Sequence, residues 1–141
     1  MSAQKLKKKV QVVVMAKDCL LRLKFNPKVS GYKNAYQNIT GSVEGEESFF
    51  EGAERELLEE TGLQQKVQEL DFEIKFKDRW NNRCVERAFF VYFSELPTIT
   101  ISEEHSEYEW KPLTKITESD FLFPSNYKAY LMAYKKLKGT K

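Results

Sequence analysis

Hydrophobic positions along this chain change rhythm several times, and each change predicts an element. VQVVVMA (10–16) and CLLRLKF (19–25) read as β-strands joined through Lys17-Asp18 in a hairpin. NPKVSGYKNA (26–35) has loop chemistry, with Asn-Pro and Ser-Gly pairs, and YQNITGSV (36–43) is a further extended segment. Phe72, Ile74 and Phe76 alternate with charged neighbours in QKVQELDFEIKFKD (65–78), the pattern of a half-buried strand. Its partner is RCVERAFFVYF (83–93), with RWNN (79–82) at the turn. TITISEEHSEYEWKPL (98–113) supplies strand-like pieces around an acidic loop, with Trp110 in a buried strand. Over 125–139, Tyr127, Tyr130, Leu131, Tyr134 and Leu137 recur at helical spacing and predict a helix that packs through this stripe.

A second helix is predicted over 49–61. Ser48 followed by Glu51 is a capping box, and Gly62 supplies the left-handed residue that ends the helix. At 100° per residue Phe50, Ala53, Leu57 and Thr61 are expected on a sheet-packing face, with Glu56, Glu59 and Glu60 nearly opposite. Gly52, one turn before Glu56, leaves room for a group to approach the backbone. Strands, one helix, more strands and a last helix make an α+β fold, an α/β/α sandwich around a mixed β-sheet.

At 141 residues, 41% hydrophobic and 31% charged, the chain has the size and composition of a single domain able to bury a core without disulfides or a structural metal. Cys19 and Cys84 are expected as buried reduced thiols. The basic start, with Lys5, Lys7, Lys8 and Lys9, reads as a solvated strand lead-in, though it also suits an anionic partner. The apolar run ends at Lys17, too short for a spanning helix, and no small-residue cleavage signal follows; a cytoplasmic location is the expectation.

Net charge is only +2, yet eight carboxylates and a single base, Arg55, fall between Glu44 and Glu60. Like charges at i, i+4 destabilise a helix, Glu59 and Glu60 lie at its unfavourable C-terminal end, and Gly52 costs about 1 kcal/mol of propensity. Arg55 can pair with Glu59 and with Glu51, which leaves most of the cluster uncompensated. Breaches of local rules concentrated in one place mark functional sites. A hard divalent cation would relieve the repulsion; a solvated acidic face is the alternative, and the charge pattern by itself leaves both open.

The order of residues adds more. Gly41, Glu47 and Arg55-Glu56-Leu57-Leu58-Glu59-Glu60-Thr61-Gly62-Leu63 fit G-x5-E-x7-R-E-U-x-E-E-x-G-U, with U aliphatic. The segment resembles the Nudix box, and the surrounding elements resemble the Nudix fold. The resemblance implies Mg²⁺ (or Mn²⁺)-dependent hydrolysis of a phosphoanhydride. It implies Glu56, Glu59 and Glu60 as metal ligands together with the Gly41 carbonyl, Arg55 as the residue that orients the glutamates, and Glu47 as a loop brace or water-mediated ligand. Glu104 is the further distant carboxylate, as metal ligand or general base, with Glu60 the competing base. One departure is Glu46, where relatives often carry glycine.

YQNITGSVE, EEHSEYEW and SNYKAYL resemble segments of the dihydroneopterin triphosphate (dATP) pyrophosphohydrolase group within that family. The implied reaction releases pyrophosphate and a monophosphate from a nucleoside or pterin triphosphate. RNA 5′-end hydrolysis, dinucleoside polyphosphate hydrolysis and a non-catalytic nucleotide-binding regulator are the alternatives. Tyr36 and Trp80 are candidates to stack on a ring, and Lys24 to meet a phosphate, whereas Phe25 stands where relatives commonly place arginine. His105, the only histidine, reads as structural or near the substrate. A small-molecule partner is expected, with no membrane, no stable nucleic-acid partner, and a monomer or homodimer.

Overall fold

The run VVVM in the first strand is apolar on both sides because that strand lies in the middle of the sheet with a helix on each face. In the computed structural model, which describes residues 6–31 and 35–139, β1 (Lys7–Ala16) lies parallel to β6 (Arg83–Phe93) and antiparallel to β4 (Ile39–Ser42) and β2 (Cys19–Phe25). Lys5 falls outside the described residues. The remaining strands are β3 (Tyr36–Gln37) beside β2, β5 (Gln68–Lys77) beside β6, and β7 (His105–Pro112) on the far edge of β2. One parallel pairing among antiparallel ones makes the sheet mixed, as expected.

Val10, Val12 and Val14 of β1 join Phe89 and Val91 of β6 in one core, closed by Ala53 and Leu57 of α2 (Phe49–Thr61). The alternate residues Val13 and Met15 join Ala88 and Phe90 in the other, closed by Ala129, Tyr130 and Ala133 of α3 (Pro124–Gly139). Strand alternation sends neighbouring side chains to opposite faces, so one strand feeds both cores. The α/β/α sandwich follows.

Several details depart from the sequence reading. The loop after β2 contains a one-turn helix, α1 (Pro27–Ser30), started by the Asn26 side chain accepting from the Lys28 N–H. The extended segment 36–43 is broken at Asn38. Residues 98–101 form no strand; Ile99 is buried in the first core, and the Thr100 N–H donates to the Thr61 carbonyl at 2.9 Å. Glu107 and Glu109 belong to β7 rather than to a loop, and Trp110 is half-buried. Leu131 is 46% exposed, because α3 turns Ala129 and Ala133 to the sheet, where small residues admit close approach. Cys84 is buried and Cys19 only half-buried; both are free thiols. Among the described residues no helix is long and apolar enough to cross a membrane.

Candidate functional site

α2 begins as its sequence dictates: Ser48 Oγ accepts from the Glu51 N–H at 3.0 Å, and Glu51 Oε1 accepts from the Ser48 N–H at 2.8 Å. Gly62 ends it at φ 78°. The buried stripe is Gly52, Ala53, Glu56, Leu57, Glu60 and Thr61, which corrects the expected separation of faces. Glu56 and Glu60 flank the apolar stripe instead of opposing it, Glu59 faces solvent, and Phe50 is 43% exposed with its ring edge-on to Phe89. Space beside Gly52 is filled by Val43, whose Cγ2 lies 3.2 Å from where a Cβ would stand.

Arg55 organises the acidic cluster. Its Nε and Nη2 donate to the two Glu47 oxygens at 2.7 and 3.0 Å, Nη1 to Glu56 Oε2 at 3.0 Å and Glu59 Oε2 at 3.1 Å, and Nη2 also to the Ser42 carbonyl at 2.6 Å. Glu51 is not among these partners, since its carboxylate serves the helix cap. Glu47 also accepts from the Glu44 N–H at 2.9 Å, so a single guanidinium ties the loop between β4 and α2 to the helix. Arg55 holds Glu47 below the usual carboxylate range. Burial pushes Glu56 up to about 7, against the pull of Arg55.

Gly41 matters by what it lacks. A Cβ there would fall 2.1 Å from Glu56 Cδ, so the glycine keeps open the space that the carboxylate occupies. Glu60 points away from Arg55. Ser102 Oγ donates to Glu60 Oε1 at 2.5 Å and His105 Nδ1 lies 3.0 Å from the same oxygen, while His105 Nε2 is 3.4 Å from the Gln37 amide nitrogen. Burial alone would raise the Glu60 carboxyl; hydrogen bonds from His105, Glu104 and Ser102 outweigh it and bring it down, and the shared proton drives Glu104 up. Among the described residues no group of three or more His, Cys, Asp or Glu side chains is gathered to hold a metal ion as it stands. Arg55 pairs with Glu56 and Glu59, while Ser102 and His105 bond Glu60.

On the opposite face of the sheet, beyond the N-terminus of α3, lies a cavity of about 670 Å³ that reaches Gly41. Phe25, Ile74, Phe76, Trp80 and Phe123 wall it, and Glu86 and Asn126 contribute polar atoms. Trp80 therefore lies at this cavity, at the β5–β6 turn that Asp78 caps by accepting from the Trp80 and Asn82 N–H groups. Tyr36 and Lys24 do not line it: the Arg22 guanidinium covers the Tyr36 ring at 4.1 Å, and Lys24 Nζ is 3.5 Å from Glu107. Phe25 does, with its ring stacked on His105 at 5.8 Å.

Glu86, Asn126 and Ser102 are the polar residues that sequence reasoning missed. A signal existed for Glu86: it shares strand parity with inward-facing Ala88 and Phe90, so a charge stands at a core position.

Comparison with known proteins agrees with this arrangement. A family model described as NUDIX domain matches residues 5–132. The fold is similar to the E. coli dihydroneopterin triphosphate pyrophosphohydrolase (21% identity, 92% of this chain and 94% of that one, TM-score 0.75). It is similar to a C. elegans Ap4A hydrolase in a binary complex (15%, 95% and 99%, TM-score 0.77). It is also similar to the NUDIX domain of Shewanella oneidensis NrtR complexed with ADP ribose (18%, 97% and 90%, TM-score 0.75). At these identities the likeness is one of fold. No curated protein matches the sequence.

Proposed function

The chain belongs to the NUDIX domain family, and from that premise we propose that it hydrolyses a nucleoside or pterin triphosphate to the monophosphate and pyrophosphate with Mg²⁺ (or Mn²⁺). One observation carries the reading. A cluster of carboxylates ordered by Arg55 meets, at Gly41, a largely apolar cavity of about 670 Å³, within the roughly 300–1,000 Å³ span of small-molecule sites.

The donor set suits a hard divalent ion. Glu56, Glu59, Glu60 and Glu104, with the Gly41 carbonyl, offer only oxygen, and the missing Cβ at Gly41 lets the Glu56 carboxylate lie against that residue. When bound, the ion would supply charge neutralisation for the phosphates and a more acidic water. The protein's own part is positional. Arg55 fixes Glu56 and Glu59 and offsets their repulsion, and Glu47 holds Arg55 and the loop. Ser102 and His105 keep Glu60 anionic. Glu104, which shares a hydrogen bond with Glu60, is the candidate general base, with Glu60 the competing one.

A panel of nucleoside triphosphates, dihydroneopterin triphosphate, dinucleoside polyphosphates and 5′-triphosphate RNA, with pyrophosphate and orthophosphate measured separately, tests the reading. Pyrophosphate from a triphosphate supports it. Cleavage confined to dinucleoside polyphosphates would move the chain toward the activity named for the C. elegans neighbour. Tight nucleotide binding without turnover would make it a regulator.

A further inference from the structure

Glu86 stands 6% exposed in the lining of the cavity; Gln11 Nε2 donates to it at 3.5 Å, and Lys9 of β1 is its cross-strand neighbour. That bond is at the limit of length, so most of the acceptor capacity of the carboxylate is unspent. The surrounding amides are already oriented. Asn38 Nδ2 donates to Gln11 Oε1 at 2.7 Å and to the Asn126 carbonyl at 3.1 Å, and the Asn38 N–H donates to Asn126 Oδ1 at 2.9 Å. Gln11 is thereby fixed with its NH₂ toward Glu86, and Asn126 has its own oxygen committed. The lining is largely apolar, with Lys9, Lys77, Asp78 and Arg79 also in it, and Gly41 both lines the cavity and adjoins Glu56. A carboxylate that is nearly buried, lines a cavity and has one long side-chain hydrogen bond presents acceptors to whatever fills that cavity.

We propose that Glu86 is the specificity-determining residue of this site, accepting two adjacent N–H groups from the 2-amino-4-oxo-pyrimidine edge shared by guanine and pterins. Phe25, Phe123 and the β5 residues Ile74 and Phe76 contact the ring, and the triphosphate runs past Gly41. This deepens the hydrolase reading and rests on it for the direction of the phosphates. The two carboxylate oxygens match the N1–H and 2-amino donors of such a ring. Adenine presents one donor and one acceptor on the corresponding edge, which sets a lone pair against a buried anion. Hypoxanthine keeps N1–H but lacks the amino group. Because burial holds the Glu86 proton to about pH 7, the comparison belongs at pH 8, where the carboxylate is ionised.

With the full chain and Mg²⁺, kcat/KM for dGTP is expected to exceed that for dITP about tenfold or more and that for dATP about 100-fold or more. Glu86→Gln replaces the acceptor pair by one acceptor and one donor. It should lose about 100-fold on dGTP and gain on dATP; a purely structural role would lower all three together. Calorimetry with dGMP, dIMP and dAMP, which needs no turnover, is the independent arm, and the wild-type series decides the matter if the variant does not fold. Tighter dGMP binding without hydrolysis of any triphosphate upholds the role of Glu86 and sinks the hydrolase reading. Turnover with dGTP, dITP and dATP within about threefold of one another, or a uniform loss in Glu86→Gln, overturns the role of Glu86 and leaves hydrolysis standing.

Discussion

Glu86 also makes a prediction about stability that needs no substrate. Burial raises its carboxyl from an ordinary 4.5 to about 7, opposed by Gln11 and by Lys9. Lys9 approaches from β1, Lys77, Asp78 and Arg79 line the same cavity from the end of β5 and the turn, and Asn126 comes from α3. Because the folded-state value lies above the unfolded one, the folded chain binds the proton more tightly. Below pH 4.5 both states are protonated and the group contributes no difference. Between 4.5 and 7 the unfolded chain ionises first, so stability falls as pH rises; above 7 the full cost of a buried anion is present. The shift of about 2.5 units at 1.36 kcal/mol each gives about 3 kcal/mol. Glu86→Gln cannot ionise. In urea titrations without metal, the variant should match wild type near pH 4.5 and exceed it by about 3 kcal/mol at pH 8. Taking the difference between the two chains cancels the opposite slopes from Glu47 and Asp120, whose values are lowered. A difference that is flat across that range would refute the reasoning, since it would show Glu86 to be solvated.

Other substitutions separate catalysis from folding. Glu59→Gln should cost about 100-fold or more in kcat, while metal-free stability changes by only about 0.5 kcal/mol, since the Glu59 side chain is 52% exposed; steady-state kinetics beside a thermal melt reads both. Arg55→Lys loses the two-pronged contact with Glu47 and the bond to the Ser42 carbonyl, so activity should fall about 10–100-fold and stability by about 1–3 kcal/mol; a neutral result in both assays would remove Arg55 from its organising role. Gly41→Ala puts a methyl 2.1 Å from Glu56 Cδ, the end of a side chain able to swing away, so the fold should survive by circular dichroism while kcat/KM drops about 100-fold or more.

The frame of the fold is legible in the chain because it rests on periodicity. The unbroken VVVM run identifies a strand covered on both faces, and Ser48, Glu51 and Gly62 mark the ends of α2 by local chemistry alone. What alternation cannot supply is which side of a helix the remaining protein presses on. Glu56 lies against Gly41 of β4 and Glu60 against the Ser102–His105 segment, which arrives from more than 40 residues away, so that flank of α2 is closed by tertiary contacts. Tyr36 and Lys24 stand out in the sequence as an aromatic and a base; in the fold Arg22 covers the Tyr36 ring, and Lys24 lies beside its cross-strand partner Glu107. Trp80 does line the cavity, because the β5–β6 turn brings it there. Glu86 carried its own mark, an acid at a position where period two demands an apolar residue.

β4, only four residues long, lies between the two ends of the site. Its pairing with β1 sets Gly41 opposite Val10 and Thr40 opposite Gln11. Gly41 therefore shares the α2 face with Val10, against Glu56, while Thr40 shares the other face with Gln11, beside Glu86. Arg55 grips the strand's last carbonyl at Ser42, and Asn38, just before its first residue, grips Gln11 and Asn126. A shift of β4 by a fraction of an ångström would loosen the carboxylate cluster and the cavity floor together. Substitutions at Asn38 should consequently disturb the phosphate end as well as the ring end, although Asn38 touches neither Glu56 nor Arg55. A polar chain from Glu86 through Gln11 and Asn38 to Asn126 ties the start of that short strand to β1, β6 and α3.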